Sequence, residues 1–178
     1  MSEENNINIT INDQSVSVPK GTLVVEAAKQ VGIEIPVFCY HEKLGPFGCC
    51  RMCLVEVEKM PKLTTACTQT VMPDMVVKTA SPKVIKAQQG VLEFTLLNHP
   101  LDCPVCDKGG ECPLQNNTFK YGPGDTRMEF ERANRDKATP LSPVITIDRE
   151  RCIACQRCTR YSDIIEQESA LVMLNRGF

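Results

Sequence analysis

Eleven cysteines stand in three groups along this 178-residue chain, and no other feature restricts its fold so tightly. The first group is Cys39, Cys49, Cys50, Cys53 and Cys67. The second is Cys103, Cys106 and Cys112, with His99 just ahead, and the third is Cys152, Cys155 and Cys158. Two-residue gaps recur within the groups, the count is odd, and the opening MSEENNINIT is too acidic and polar for a secretory signal. In a reducing compartment such spacings serve metal ligation rather than disulfides. The groups do not repeat one another, so three different sites are expected on one chain.

Composition narrows the partners. Net charge is -2, from 20 basic and 22 acidic residues, so no basic surface dominates and a nucleic-acid partner is not expected. No apolar run reaches the roughly 20 residues of a membrane span, so no direct span is expected either. With no Trp, 6 Phe and 3 Tyr, aromatic stacking is a poor candidate for the main chemistry.

Residues 1–80 read as a small α+β unit. Ile7, Ile9 and Ile11 alternate with polar neighbours as in a half-buried strand, Asn12-Asp13 supplies turn chemistry, and Val16 and Val18 resume the alternation. Thr22 is placed to cap a helix over Leu23 to Val31, which Gly32 would end. Residues 52–58 and 75–79 look like further strands, an order that fits a β-grasp. Residues 81–121 read as helical. Ser81-Pro82 makes a helix start, and Val84, Ile85, Val91, Leu92 and Leu96 form an apolar stripe that Gln88 interrupts. Pro100 should end that helix by Asn98. Residues 122–143, with Gly122, Pro123, Gly124, Pro140 and Pro143, read as a linker. Residues 144–178 open with a short strand, VITID, that feeds the third cysteine group.

In the first group, Cys39-x10-Cys50-x2-Cys53-x13-Cys67 offers four thiolates for a two-iron cluster, from one long loop and a later segment. Its first gap is longer than in plant-type ferredoxins. Gly45 and Gly48 would let the loop approach a cluster. Cys49 is surplus and reads as a small buried thiol, and His41 as structural. An all-cysteine zinc site is the competing reading, disfavoured because only one close pair exists. In the second group, His99-x3-Cys103-x2-Cys106-x5-Cys112 suits a four-iron cluster or a structural zinc. Gly109-Gly110 slightly favours the bulkier group. In the third, Cys152-x2-Cys155-x2-Cys158 begins the bacterial four-iron ferredoxin motif, but Ser162 occupies the place of the fourth cysteine. Ser162 or solvent could complete that site, the cluster could hold three irons, or the fourth ligand could lie beyond Phe178. The last is the favoured expectation.

The segments CRMCLVEVE, TTACTQTV, LLNHPLDCPVCDKGGECPLQ and RCIACQRCTRY together resemble the large iron–sulfur subunit of bacterial-type NADH:quinone oxidoreductase, respiratory complex I. The resemblance implies an α+β fold: a β-grasp 2Fe–2S ferredoxin-like domain, a helical one-His three-Cys 4Fe–4S domain, then the start of a 4Fe–4S ferredoxin-like domain. It implies a 2Fe–2S cluster on Cys39, Cys50, Cys53 and Cys67, and a 4Fe–4S cluster on His99, Cys103, Cys106 and Cys112. Cys152, Cys155 and Cys158 would hold three corners of another 4Fe–4S cluster, its fourth ligand a cysteine further along the family's chain. The activity implied is that of an oxidoreductase subunit doing electron transfer only, from a partner subunit with FMN and NADH toward quinone. The expected location is cytoplasmic, peripheral on the cytoplasmic face of the inner membrane through the complex.

Two other readings compete. One is the homologous cluster-bearing subunit of an NAD-linked hydrogenase or formate dehydrogenase. The other is a zinc-stabilised interaction module, colourless, with about two to three zinc ions. A neutral imidazole in place of a thiolate removes one negative charge and favours the reduced state of its cluster. His99→Cys is therefore expected to lower the potential of the second site, and a potentiometric titration showing no drop would count against His99 as a ligand.

Overall fold

The computed structural model describes residues 6–174. Strands β1 (Asn6–Ile11) and β2 (Gln14–Pro19) form an antiparallel hairpin with Ile9 opposite Val16. Asn12 and Asp13 both take positive φ, 46° and 68°, the conformation that matches a two-residue hairpin to strand twist. The turn is tied down from outside: the Asn12 Oδ1 accepts the Thr79 N–H at 2.8 Å and its Nδ2 donates to the Thr79 hydroxyl at 2.6 Å.

Helix α1 (Val24–Gln30) is one residue shorter at each end than the sequence predicts. Thr22 does not cap it. Its hydroxyl donates instead to the Pro19 carbonyl at 2.7 Å, closing the turn after β2 and leaving Leu23 at the cap position. Gly32 does end the helix: its N–H and that of Ile33 take the Lys29 and Ala28 carbonyls, a Schellman closure.

Strands β3 (Leu54–Val57), β4 (Thr64–Thr65) and β5 (Val76–Lys78) complete a five-stranded sheet ordered β2-β1-β5-β3-β4. β4 is too short to show in the sequence pattern. β1 runs parallel to β5, while every other pairing in this sheet is antiparallel. Ile9, Ile11, Val18, Val55 and Val77 meet Val24, Val25, Ala27 and Ala28 of α1 in the main core. This mixed sheet crossed by one helix is the expected β-grasp architecture.

Helix α2 (Pro82–Leu96) begins where predicted, with the Ser81 hydroxyl accepting the Val84 N–H at 3.3 Å. Its inward face differs from the predicted stripe. Val84, Gln88 and Leu92, four residues apart, are the buried positions, and Ile85 faces solvent. Gln88 belongs there because its amide donates to the Leu54 carbonyl of β3 at 3.2 Å, which satisfies a buried polar group. Leu92 enters a second core with Phe38, Met52 and Leu114, the last from helix α3 (Pro113–Tyr121).

The segment expected as a linker is irregular but strapped down. Arg127 pairs with Glu93, the Ala133 N–H donates to the Asn98 side chain, and Lys137 pairs with Asp102. It also contains β6 (Thr139–Pro140), paired with β7 (Thr146–Ile147), the remnant of the predicted VITID strand. Helix α4 (Arg157–Ile164), which the sequence pattern did not suggest, follows the third cysteine group.

Leu92 is fully buried. Leu92→Ala is expected to cost about 2–5 kcal/mol in urea unfolding, whereas Ile85→Ala on the outer face should stay within about 0.5 kcal/mol.

Candidate metal centres

The first cysteine set hangs from the sheet. Cys39 lies in the loop after α1, Cys50 and Cys53 lead into β3, and Cys67 follows β4; Cys39, Cys53 and Cys67 are buried. The Cys39 N–H reaches the Cys50 Sγ at 3.5 Å. Hydrogen bonds from Cys50 and then Cys67 hold the Cys39 thiol well below its ordinary range, and a bond from Cys67 lowers Cys53 against its burial. Cys50 and Cys67, as the donors, are pushed up. The fold thus brings the four thiols within hydrogen-bonding reach of one another, Cys39 with Cys50 and Cys67, and Cys67 with Cys53. Metal ligation needs the thiolate.

Cys49 is not the buried thiol the sequence suggested: it is exposed. Its thiol nonetheless reaches the Cys39 thiol, and burial together with that neighbour pushes it up to about 12, while Cys50 is the more buried of the two. His41 stays outside the set, its Nδ1 accepting the Lys43 N–H at 3.2 Å. Gly48 has φ +75°, and a Cβ there would meet the Thr68 methyl at 3.0 Å. The glycine therefore admits Thr68, the neighbour of Cys67, rather than clearing space toward the thiols.

The second set surrounds a cavity. His99, Cys103, Cys106 and Cys112 all line one space of about 180 Å³ beside Leu96 and Leu114. A short turn, Cys103–Val105, presents the first cysteines, and Cys112 sits at the start of α3 with Pro113 as its first residue. Gly109 is required: a Cβ would lie 3.0 and 3.1 Å from the Cys103 and Cys106 carbonyls. Burial pushes the His99 imidazole below its ordinary value against the pull of Asp102, favouring the neutral ring that a ligand needs. The donors stand around the space rather than meeting at a point. Among the described residues no three His, Cys, Asp or Glu side chains lie close enough to hold a single ion. A tetrahedral zinc draws its ligands to about 2.0–2.3 Å and leaves no such cavity, so the site fits a larger group. Thr118 also lines the cavity, and its Oγ1 is buried with no hydrogen-bond partner among the described residues.

The third set is the most open, with Cys152 and Cys158 exposed and Cys155 half-buried. Ala154 and Gln156 take left-handed φ of 52° and 58°, which coils the loop between the cysteines. The Ala154 N–H points to the Cys152 Sγ at 3.4 Å. Ser162 is turned away into the fold: it is buried, and its hydroxyl oxygen accepts the Ala170 N–H at 3.0 Å. The Arg157 Nε is buried without a partner among the described residues, a donor suited to a sulfur-rich occupant.

Two residues that tie the third set's helix to the first set's loop escaped the sequence reading. Arg157 and Arg160, on α4, reach back to the first set's loop. Arg157 donates to the Tyr40 carbonyl at 2.7 Å. Arg160, nearly fully buried, donates to the carbonyls of Cys39 and Gly45, each at 3.0 Å, and of Leu44, and stacks 4.5 Å from the Phe47 ring centre. The signal lay in QRCTR, whose arginines flank Cys158, but only the cysteines carried a spacing rule. A second bridge joins the other two sets: Lys137 and Arg151 both pair with Asp102, next to Cys103, and with Asp148, which caps the loop before Cys152.

Comparison with known proteins gives the same order of parts. A family model described as a 2Fe-2S iron-sulfur cluster binding domain matches residues 4–82. The NADH-ubiquinone oxidoreductase-G iron-sulfur binding region matches 88–127, and the ferredoxin-like domain of NADH-quinone oxidoreductase subunit 3 matches 142–178. The G-type subunit of the NADH-quinone oxidoreductase of Streptomyces coelicolor is 51% identical over 176 residues, covering 98% of this chain and 21% of that protein. NADH-quinone oxidoreductase subunit 3 of Thermus thermophilus is 42% identical over 205 residues, covering 96% and 26%. The chain thus spans about a fifth to a quarter of the length of these curated relatives. Among solved structures, an NAD+-reducing [NiFe]-hydrogenase in the H2-reduced state superposes with a TM-score of 0.80 at 28% identity, over 91% of this chain and 68% of that one. With a 2Fe–2S domain followed by 4Fe–4S binding regions, the chain belongs to the family formed by the iron–sulfur regions of G-type NADH-quinone oxidoreductase subunits.

Proposed function

We propose that Cys39, Cys50, Cys53 and Cys67 hold a 2Fe–2S cluster, and that His99, Cys103, Cys106 and Cys112 hold a 4Fe–4S cluster. Cys152, Cys155 and Cys158 supply three ligands of a second 4Fe–4S cluster. The chain serves as an electron-transfer part of an NADH-quinone oxidoreductase, between a partner subunit carrying FMN and NADH and the quinone. Its place is peripheral, on the cytoplasmic face of the inner membrane, through that complex. The observation that carries this reading is the set of one histidine and three cysteines around a single cavity of about 180 Å³.

Bound in these sites, iron–sulfur clusters exchange single electrons without forming a bond to substrate. This chain's residues fix where they sit and what surrounds them. Cys39, Cys53 and Cys67 keep the first site out of water, Gly109 lets the second loop close around its cavity, and Arg160 anchors the first loop on α4. Among the described residues no helix is long and apolar enough to cross a membrane.

A second reading, a cluster-bearing subunit of an NAD-linked hydrogenase, is favoured by the likeness to the NAD+-reducing hydrogenase. The 51% identity to G-type NADH-quinone oxidoreductase subunits weighs toward the first. Copurification separates them, since the hydrogenase reading requires a nickel-bearing partner.

Anaerobically purified protein is expected to carry at least about six irons per chain with matching acid-labile sulfide, and about ten where the third site is also filled. Dithionite should produce EPR signals from both cluster types. Zinc in place of iron would overturn the electron-transfer reading.

A further inference from the structure

Arg160 follows Cys158 of the third set on α4, yet its guanidinium is buried against the loop that carries Cys39. That loop turns its carbonyls on the guanidinium. The N–H groups of Leu44 and Gly45 donate to the His41 carbonyl, while the carbonyls of Cys39, Leu44 and Gly45 all accept from Arg160. The Phe47 ring covers the group at 4.5 Å. No carboxylate pairs with it among the described residues, so neutral partners alone hold a full positive charge out of water. Burying a charge in this way is costly, and a negative charge in reach would favour it.

The first cysteine set is in reach. Arg160 donates at 3.0 Å to the carbonyl of Cys39 itself, and bond lengths within one residue keep the Cys39 sulfur within roughly 8 Å of the donor nitrogen. The charge is felt there: the Cys49 thiol, raised by burial and by the Cys39 thiol it reaches, is pulled back by Arg160. An iron–sulfur group gains one negative charge on reduction. We propose that Arg160 raises the reduction potential of the group held by Cys39, Cys50, Cys53 and Cys67, so that the helix of the third set tunes the first. A cation stabilises the more negative, reduced state, which fixes the sign, and a buried cation is screened less than a surface one. Arg160 is a positioning and tuning residue rather than a ligand, and its role rests on the cluster assignment made above.

The test uses the cluster-loaded chain and reads the midpoint potential of the first site by EPR, together with iron and sulfide content. Arg160→Gln removes the charge and keeps a donor. Arg160→Lys keeps the charge and gives up the planar fork that serves three carbonyls. At the ambient potential where the unsubstituted chain is half reduced, the ratio of reduced to oxidised first site is expected to fall on the order of tenfold in the Gln variant. The Lys variant should recover most of that fall, with iron and sulfide unchanged in both. Loss of the first cluster from the Gln variant alone also supports the role, since the same charge favours the thiolates that hold it. An unmoved potential in the Gln variant overturns it, as does an equal fall or an equal cluster loss in both variants, Arg160 then being an anchor of the loop only. Absence of iron from the first site in the unsubstituted chain overturns the cluster assignment and this role with it.

Discussion

The packing of Leu92 against Phe38, Met52 and Leu114 decides how three metal-binding segments share one molecule. Phe38 and Met52 come from the first cysteine loop, Leu92 from α2, and Leu114 from α3, while Cys50, Cys112 and Cys155 pack around them. One thiol from each set is therefore fixed against the same apolar cluster. The larger core beneath the sheet stabilises the β-grasp unit by itself. The smaller one converts a ferredoxin-like unit and two cysteine-bearing appendages into a single body. Interiors pack densely and transmit displacement, so a void at Leu92 would be felt at all three sites.

Charge makes the second connection. A buried guanidinium is costly unless its donors are matched. Arg160 meets that condition with the carbonyls of Cys39, Leu44 and Gly45 and the face of Phe47. Those partners are neutral, and among the described residues no carboxylate pairs with it. It stands beside a set in which Cys39 is already disposed to be a thiolate, where an uncompensated cation is favourable. The bridge between the second and third sets works otherwise: Lys137 and Arg151 face Asp102, Asp148 and Glu150, a largely neutralised network. The two links are thus mechanically alike and electrostatically different.

Short-range rules made most of this legible. The alternation of Ile7, Ile9 and Ile11, the Asn12-Asp13 turn, and Ser81-Pro82 as a helix start are local signals, and each appears where it was expected. The cysteine groups were legible because ligation imposes fixed spacings. Most of the misreadings share one cause, which is that a partner outside the local pattern decided the outcome. Gln88 faces inward because the Leu54 carbonyl waits there. Thr22 abandons its helix for Pro19. The apparent linker is held by Glu93, Asn98 and Asp102, and Arg160 reaches a loop 115 to 121 residues away. Nothing in a one-dimensional pattern encodes such pairs.

The three sets also differ in how the fold surrounds sulfur, and that difference has a direction. The first is buried on the sheet, the second encloses a cavity, and the third lies near the surface. Adding an electron adds negative charge, and water stabilises charge better than a protein interior does. Burial alone would therefore make the first site the hardest to reduce and the third the easiest. The fold works against that order at the first site, where it places the buried positive charge of Arg160 against the Cys39 carbonyl. At the third, where solvent already has access, the backbone N–H on the Cys152 sulfur and the buried Arg157 Nε are the donors at hand among the described residues. For clusters held at these sites, such charge and donors would offset part of the spread of potentials that burial alone creates.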